Sequence, residues 1–369
     1  MTDDVRSRLD RACSATSAAE VDALLVSPGA DLRYLTGYQA LPLERLTCLV
    51  VTADGDPTLV VPALERSAAL ASPVGDLGIS VVAWHETDDP YSLVASMLPA
   101  KGVVGLDDHM WAEKVLAFRD AMPQMRQTLA GGVLNRLRMR KSEHEVAALR
   151  EAGAAIDRVH RRMGGWLRPG RTERQVGADI ADAILEEGHA TVDFVIVGSG
   201  PNGASPHHDL SDRVIEAGDP VVIDIGGSVT SGYRSDSTRT YVAGGEPPPD
   251  FAAYYAVLLQ AQRAQCEYAR PGVTAESVDA VGRRIITEAG YGDRFIHRTG
   301  HGIGLQTHEE PYIVEGNSLL LEQGMAFSIE PGIYLEGRHG ARIEDIVVCT
   351  GDGVERLNRS PRELAVLSG

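Results

Sequence analysis

The sequence predicts an α+β protein of two domains, a smaller α/β unit followed by a larger unit made of two related halves. Three observations predict it. Short apolar runs alternate with helix-like patterns up to about residue 130, a glycine pair and a capping box then reset the pattern, and the rest of the chain repeats itself after about a hundred residues.

The runs ALLVS (23–27), CLVVT (48–52), TLVVPA (58–63), VVAW (81–84) and VVGL (103–106) are short and rich in β-branched residues, which suit a pleated surface. They predict strands, with a helix from about Trp111 to Arg119, and together a first domain over residues 1–132. Gly131-Gly132 and the basic run Arg136 to Lys141 predict a boundary, with a linker over about 133–140. Ser142, with Glu145 three residues on, reads as a capping box. It opens a helix whose apolar positions Val146, Leu149, Ile156 and Val159 share one face, and it starts a second domain over 141–369.

Within that domain, RPGRTERQVGADIADAILEEG (168–188) matches RPGVTAESVDAVGRRIITEAG (270–290) at nine of 21 positions after a shift of 102. The matches include Arg-Pro-Gly, the Thr that would cap the next helix, and the closing Gly. A shift of 101 lays Phe194 on Phe295 and His207 on His308. Further on, VVIDIGG with GYRSDSTRTYV resembles AFSIEPG with HGARIEDIVV. Each half therefore reads as helix, Arg-Pro-Gly turn, helix, glycine-rich segment and a strand pair carrying two carboxylates, with the halves related by a pseudo-twofold axis.

Those carboxylates are Asp224, Asp236, Glu330 and Glu344. Asp224, after Val221, Val222 and Ile223, and Glu344, within Arg342 to Val347, stand in strand-forming, core-facing sequence, where an unpaired acid is costly. At a separation of roughly 4 Å and an effective dielectric of 20, each like-charge pair costs on the order of 4 kcal/mol before desolvation. A single acid in a strand is more often an edge or paired residue than a ligand, but four at repeated spacing point to a shared positive partner. Two divalent cations balance four carboxylates, and an oxygen-rich shell suits Mn²⁺. Asp345 alternates to the opposite face and is set aside.

One imidazole would complete the shell. His301 stands between Gly300 and Gly302, where absent side chains would let a metal or substrate approach, and its counterpart in the first half is Gly200. His207 and His308 occupy equivalent positions and form a pair flanking the cations, a place for proton shuttles and substrate donors. His208 and His297 have weaker cases, of which only His297 is kept, as a residue beside the site, and the remaining histidines have no motif around them. His144-Glu145 does not start a zinc-binding HExxH motif, because position 148 is Ala.

GSGPNG (198–203) matches the dinucleotide-binding GxGxxG after a strand-like run. That motif must open a helix, and ASPHHDLSDRVIEAGDP, with Pro206, Gly218 and Pro220, has no helical period; an oxidoreductase is set aside. A formal net charge of −17 argues against nucleic acid or an anionic membrane as partner. Cys13, Cys48, Cys266 and Cys349 form no CxxC and suit reduced thiols, which points to the cytoplasm. The N-terminal residues carry acids and no apolar stretch of the signal-peptide kind, and no apolar run approaches a membrane span.

Taken together, IVGSGPNGASPHH, VVIDIGG with GYRSDSTRT, HRTGHGIGLQTHEEP, FSIEPGIY and ARIEDIV resemble the metal-dependent "pita-bread" peptidases, the family of methionine aminopeptidase, aminopeptidase P and prolidase. The resemblance covers about residues 140 to 365. LLVSPGADLRYLTGY resembles the creatinase-like N-terminal domain of the proline-directed branch. The resemblance implies a pseudo-twofold pita-bread domain with Asp224, Asp236, His301, Glu330 and Glu344 as ligands of two cations (Mn²⁺, with Co²⁺ or Zn²⁺ as alternatives), Asp236 and Glu344 bridging them. It implies that a metal-bridging hydroxide attacks the scissile carbonyl and that Glu330 moves the proton to the leaving nitrogen. His207 and His308 would contact substrate and oxyanion, Arg342 would orient the acids or the substrate carboxylate, and Tyr233 would border the pocket with His297. The expected activity is hydrolysis of Xaa-Pro dipeptides, with an aminopeptidase P type of action on longer peptides as the alternative, by a homodimer joined through its N-terminal domains. Metal-free creatine-type hydrolysis and a non-catalytic binding role are disfavoured, because the ligand set is intact.

Overall fold

A computed structural model of the chain describes residues 2–53 and 55–367. It divides into compact units of residues 1–138 and 139–369.

In the first unit the apolar runs form a six-stranded sheet: β1 (Ala23–Val26), β2 (Cys48–Thr52), β3 (Thr58–Pro62), β4 (Ser80–Trp84), β5 (Gly102–Leu106) and β6 (Met125–Leu129), ordered β4-β3-β2-β1-β5-β6. β1–β2 and β2–β3 are antiparallel; the other pairings are parallel. The helices are α1 (Thr2–Ala18), α2 (Ala30–Thr36), α3 (Arg66–Ala71), α4 (Pro73–Leu77), α5 (Pro90–Ala95), α6 (Ala112–Ala121) and α7 (Gly131–Met139). Phe118 of α6 and Val94 of α5 are buried in one core with Leu25, Val50, Val60 and Val104 from the sheet. The linker expected over 133–140 falls largely within α7, whose Leu134 is fully buried.

The second unit opens with α8 (Glu143–Arg161). The Ser142 Oγ accepts the Glu145 amide and the Glu145 carboxylate accepts the Ser142 amide, so two donors left over at the helix start are satisfied. α9 (Glu173–Glu186) packs with α8 on β7 (Thr191–Ser199), β8 (Asp219–Ser228) and β9 (Ser237–Ala243), burying Ile156, Val159, Val176, Ile180 and Ile184 against Val197, Val221 and Ile223. Fully burying side chains of this size stabilises by about 1.5–3 kcal/mol each. α10 (Phe251–Tyr268) and α11 (Ala275–Glu288) follow. The second sheet then comprises β10 (Gly300–Gly302), β11 (Glu309–Ile313), β12 (Ala326–Ile329), β15 (Asp345–Cys349) and β16 (Val354–Arg356), ordered β11-β10-β12-β15-β16. β13 (Gly332–Leu335) and β14 (His339–Arg342) pair with each other, and β17 (Ala365–Leu367) joins β9.

The repeat is a repeat of backbone bonds. Gly170 and Gly272 both have φ of 88°, the left-handed region that favours glycine. Gly170 N donates to Ile215 O at 2.9 Å and Gly272 N to Leu321 O at 2.8 Å. Glu173 N then bonds Arg213 O, and Ala275 N bonds Leu319 O. Each Arg-Pro-Gly turn thus ties its helix start to the strand-like segment ahead of a sheet that carries a pair of the repeated acids. GSGPNG ends β7 and enters a short 3₁₀ turn over Gly200–Ala204, so it opens no α-helix that could hold a pyrophosphate.

Candidate active site

Asp224 lies in β8 and Asp236 just precedes β9; β8 and β9 are antiparallel, with Ile225 opposite Ser237. Glu330 follows β12 and Glu344 precedes β15, two strands paired with Ile329 opposite Asp345. Antiparallel ladders therefore carry each acid pair to one end of its sheet. The middle residue of β10, His301, joins them. His301 Nε2 lies 3.1 Å from Glu330 Oε1 and 3.7 Å from Asp236 Oδ2. Donor atoms of Asp236, His301 and Glu344 all lie within 4.8 Å of one another. Asp224 is held by Arg342, which donates to its Oδ2 at 2.5 Å and lies 3.9 Å from Glu330.

The electrostatics are those of too many acids in too little water. Burial, and then the charges of Asp224 and Glu330, push the Asp236 carboxyl well above its ordinary range. Burial, Asp236 and the other acids do the same to Glu344. Glu330 goes the other way: burial opposes its charge, but His301 and then His297 and Arg342 hold it down to about 2. Two buried carboxylate oxygens, Asp224 Oδ1 and Glu344 Oε1, have no hydrogen-bond partner among the described residues. Orphaned acceptors facing a ring of carboxylates and one imidazole fit a divalent cation, whose charge and ligand preference answer both deficits.

The strands bearing these groups are braced from behind. Arg239, 2 % exposed, donates to the carbonyls of Thr238, Glu344, Ser360 and Pro361 and to Asp345 Oδ1 at 2.7 Å. Asp345 does face away from the acid cluster, as strand alternation predicts, and it also accepts from Arg356 and Gln262. The glycines around His301 serve packing rather than ligand access. A Cβ on Gly300 would stand 1.9 Å from Ser328 O, and one on Gly302 would stand 2.2 Å from Glu310 O. Sheet register also moves the counterpart of His301. Asp224 lies opposite Ile196, and the Glu330 amide bonds Thr299 O, so His301, two places beyond Thr299, matches Gly198 rather than Gly200.

A cleft of about 1450 Å³ lies over this cluster, lined by Asp224, Asp236, His301, Glu330 and Arg342 and by His207, His297 and His308. The His308 ring meets the His301 ring edge-on at 4.0 Å, and burial with the charges of His301 and Arg298 lowers its pKa to about 4. His297 donates from Nδ1 to Arg298 O and accepts from Tyr334 OH at 2.9 Å, and burial lowers it to about 4. Two expectations are corrected. Tyr233 does not line the cleft: it is buried and its hydroxyl donates to Glu145 Oε1 at 2.7 Å. Arg342 is fully engaged with Asp224, Tyr334, Thr238 and the Pro206 carbonyl, so of its two expected tasks it is placed to orient an acid rather than to meet a substrate carboxylate.

Sequence reasoning set one cleft residue, His208, aside and missed two, Tyr334 and Arg298. His208 lines the cleft and reaches Glu173 Oε2 at 2.7 Å. Tyr334 links Arg342 to His297; it lies inside the FSIEPGIY motif, but nothing in its spacing marks it. Arg298 also lines the cleft. Arg174 pairs with Asp212, Arg234 with Asp193 and Arg342 with Asp224, whereas Arg298 has no carboxylate partner among the described residues and stacks 4.3 Å over the Tyr312 ring.

A cluster of buried acids and one imidazole fit to hold a divalent cation, in a unit of two related αβ halves, defines a class, and comparison with known proteins agrees. Residues 147–351 match the model of metallopeptidase family M24, and residues 8–140 match the creatinase/prolidase N-terminal domain. The chain belongs to metallopeptidase family M24. It is 55 % identical over 361 residues to probable dipeptidase PepE of Mycobacterium tuberculosis, covering 98 % of this chain and 96 % of that protein. It is 37 % identical over 357 residues to the Xaa-Pro dipeptidase of Lactobacillus helveticus, covering 94 % of this chain and 95 % of that one. Its fold matches the crystal structure of dipeptidase PepE from Mycobacterium ulcerans with a TM-score of 0.97 at 54 % identity, covering 100 % of this chain and 99 % of that chain.

Proposed function

We infer that this metallopeptidase hydrolyses the Xaa-Pro bond of dipeptides. The observation that carries the reading is the convergence of Asp224, Asp236, His301, Glu330 and Glu344 at the floor of a cleft that also holds an uncommitted guanidinium, Arg298. Relatives named as dipeptidases and Xaa-Pro dipeptidases support it. Those five residues are our proposed ligands for two divalent cations, manganese first, with cobalt or zinc as alternatives. When bound, the cations supply Lewis-acid polarisation of the scissile carbonyl and acidify a water.

The protein's own groups do the rest. Glu330, ionised and beside His301, takes the proton of the attacking water and returns it to the departing nitrogen. A proline nitrogen carries no N–H and leaves only when protonated, so this delivery is what an Xaa-Pro bond needs. His207 and His308 face the cleft and donate to the oxygen on which charge develops. A dipeptide presents an α-carboxylate one residue beyond the scissile bond. Among the described residues lining the cleft, Arg298 is the cation without a carboxylate partner and so the one placed to meet it, which favours a dipeptidase over an aminopeptidase P type of enzyme.

Ala-Pro and Ala-Pro-Ala distinguish these readings. Turnover of the dipeptide with little of the tripeptide is expected; brisk turnover of the tripeptide alone would overturn the dipeptidase reading. Elemental analysis of the purified protein tests the two-cation, manganese-first assignment, and sedimentation equilibrium tests the family's homodimer. Free thiols at all four cysteines support a reducing cytoplasmic location, which fractionation of the source cells checks.

A further inference from the structure

We propose that Glu173 is a positioning residue of this active site, holding His207 over the cleft by tying down the segment from Ser199 to Ser211. Glu173 is the first residue of α9 and is fully buried. Its Oε1 accepts the Ser199 amide at 2.8 Å, the Ser199 hydroxyl at 2.6 Å and Asn202 Nδ2 at 3.1 Å. Its Oε2 accepts His208 Nε2 at 2.7 Å, Ser211 Oγ at 2.5 Å and the same Asn202 amide at 3.1 Å. A carboxylate offers about four lone-pair sites, so these donors saturate it. The bonds reach both ends and the middle of a segment that has no regular structure beyond one 3₁₀ turn.

The reason for such a hub lies in what His207 lacks. It is exposed in the cleft and has no hydrogen-bond partner among the described residues. Its neighbours in the chain provide the restraint: the Pro206 carbonyl accepts from Arg342, and the His208 ring is held by Glu173. The other half of the molecule solves the same problem differently. His308 immediately precedes strand β11, whose pairing with β10 fixes it, and the counterpart of Glu173 under the 102-residue shift is Ala275. The twofold pattern is thus broken at the one position where the first half needs an acid and the second half has a strand. The ionised state fits this use, because hydrogen bonds from Ser199, Ser211 and His208 lower the carboxyl pKa although burial, the largest single influence, opposes them.

The proposal rests on the peptidase reading, and the test separates the two. In the metal-loaded full-length enzyme, Glu173→Gln keeps the size of the side chain but removes its charge and half its acceptors. With Ala-Pro as substrate, kcat is expected to fall ~10-fold or more, the scale of a misplaced catalytic donor. Bound metal and Tm should stay near the wild-type values. Adding Glu173→Gln to His207→Ala should lower kcat little further, since the first acts through the second. Multiplicative effects of the two substitutions, or wild-type kcat in Glu173→Gln, would overturn the proposal. Should Glu173→Gln not fold, Ser211→Ala removes one tether only and is expected to lower kcat partway with the same coupling to His207. Hydrogen exchange by mass spectrometry reads the tether without turnover: exchange over 199–211 should rise in Glu173→Gln while 300–313 stays protected, and an unchanged loop overturns the proposal. Failure of the wild type on every Xaa-Pro peptide sinks the peptidase specificity instead.

Discussion

Glu330 is asked to meet two demands at the level of a single residue, as a proposed ligand and as a proposed base: burial opposes its charge, but His301, 3.1 Å away, holds its pKa down to about 2. Glu330→Gln should lower kcat on Ala-Pro by ~10²–10⁴-fold at saturating metal, the usual contribution of a positioned acid–base group, with the fold kept; steady-state kinetics beside circular dichroism check it. Arg298→Ala tests carboxylate capture. Hydrogen bonds to charged groups contribute about 1.5–3 kcal/mol, so KM for Ala-Pro should rise by roughly 10- to 100-fold while kcat changes less. An unchanged KM would remove Arg298 from the substrate site. His160 gives a pH dependence away from the site. Tyr241 OH donates to its Nδ1 at 3.0 Å and its Nε2 faces Ser237 O, so the ring is held neutral, and burial followed by the Arg239 charge lowers its pKa from 6.5 to about 3. A depressed folded-state pKa means that its stabilising contribution is complete above pH 6.5 and is lost as pH falls toward 3. Urea unfolding of His160→Gln between those limits should show a shallower loss of stability with acid, by up to ~1.4 kcal/mol per pH unit.

At the scale of elements, β10 is the narrowest part of the design. It is only three residues long, yet it places His301 between β11 and β12 and allows no side chain at Gly300 or Gly302. Overpacking of this kind typically costs about 1–3 kcal/mol. Gly302→Ala should therefore lower Tm and weaken metal binding together, which thermal melts and a metal titration would register; full metal affinity would show that β10 tolerates the shift. The glycines were visible in the sequence, but their reason was not. Spacing alone made them room for a ligand, whereas the carbonyls that exclude a Cβ come from Ser328 and Glu310, on strands brought alongside only by folding. The Arg-Pro-Gly turns show the opposite case. Proline's fixed φ, glycine's left-handed φ and the Thr172 cap act locally, so the sequence shows them directly, although its repeat partner Thr274 makes no side-chain cap bond in the second half.

Across the whole molecule, the acid cluster is expected to make stability and activity depend on bound divalent metal. Buried carboxylates that repel one another destabilise the metal-free fold, and an ion bound only by the folded state at a hundred times its Kd stabilises by about 2.7 kcal/mol. Treatment with a chelator should abolish activity and lower Tm, and adding Mn²⁺ should restore both; activity that survives complete metal removal would refute the metallopeptidase mechanism. The four acids among the five proposed ligands were legible because acids in or beside strand-forming sequence contradict the local preference for apolar residues, and because a repeat made the contradiction occur twice. What the sequence by itself determined was thus the local and the periodic: the strand runs, the capping box, the turns and the spacing of the acids. Only the tertiary structure decided which charges are already paired. Arg342 meets Asp224 across 118 residues, Tyr233 turns to Glu145 across 88, and Arg298 stays uncommitted. Pairing of side chains so distant in the chain follows from packing of whole sheets, which no local pattern encodes, and that is why the cleft-lining Arg298 and the Glu173 hub emerged only from the fold.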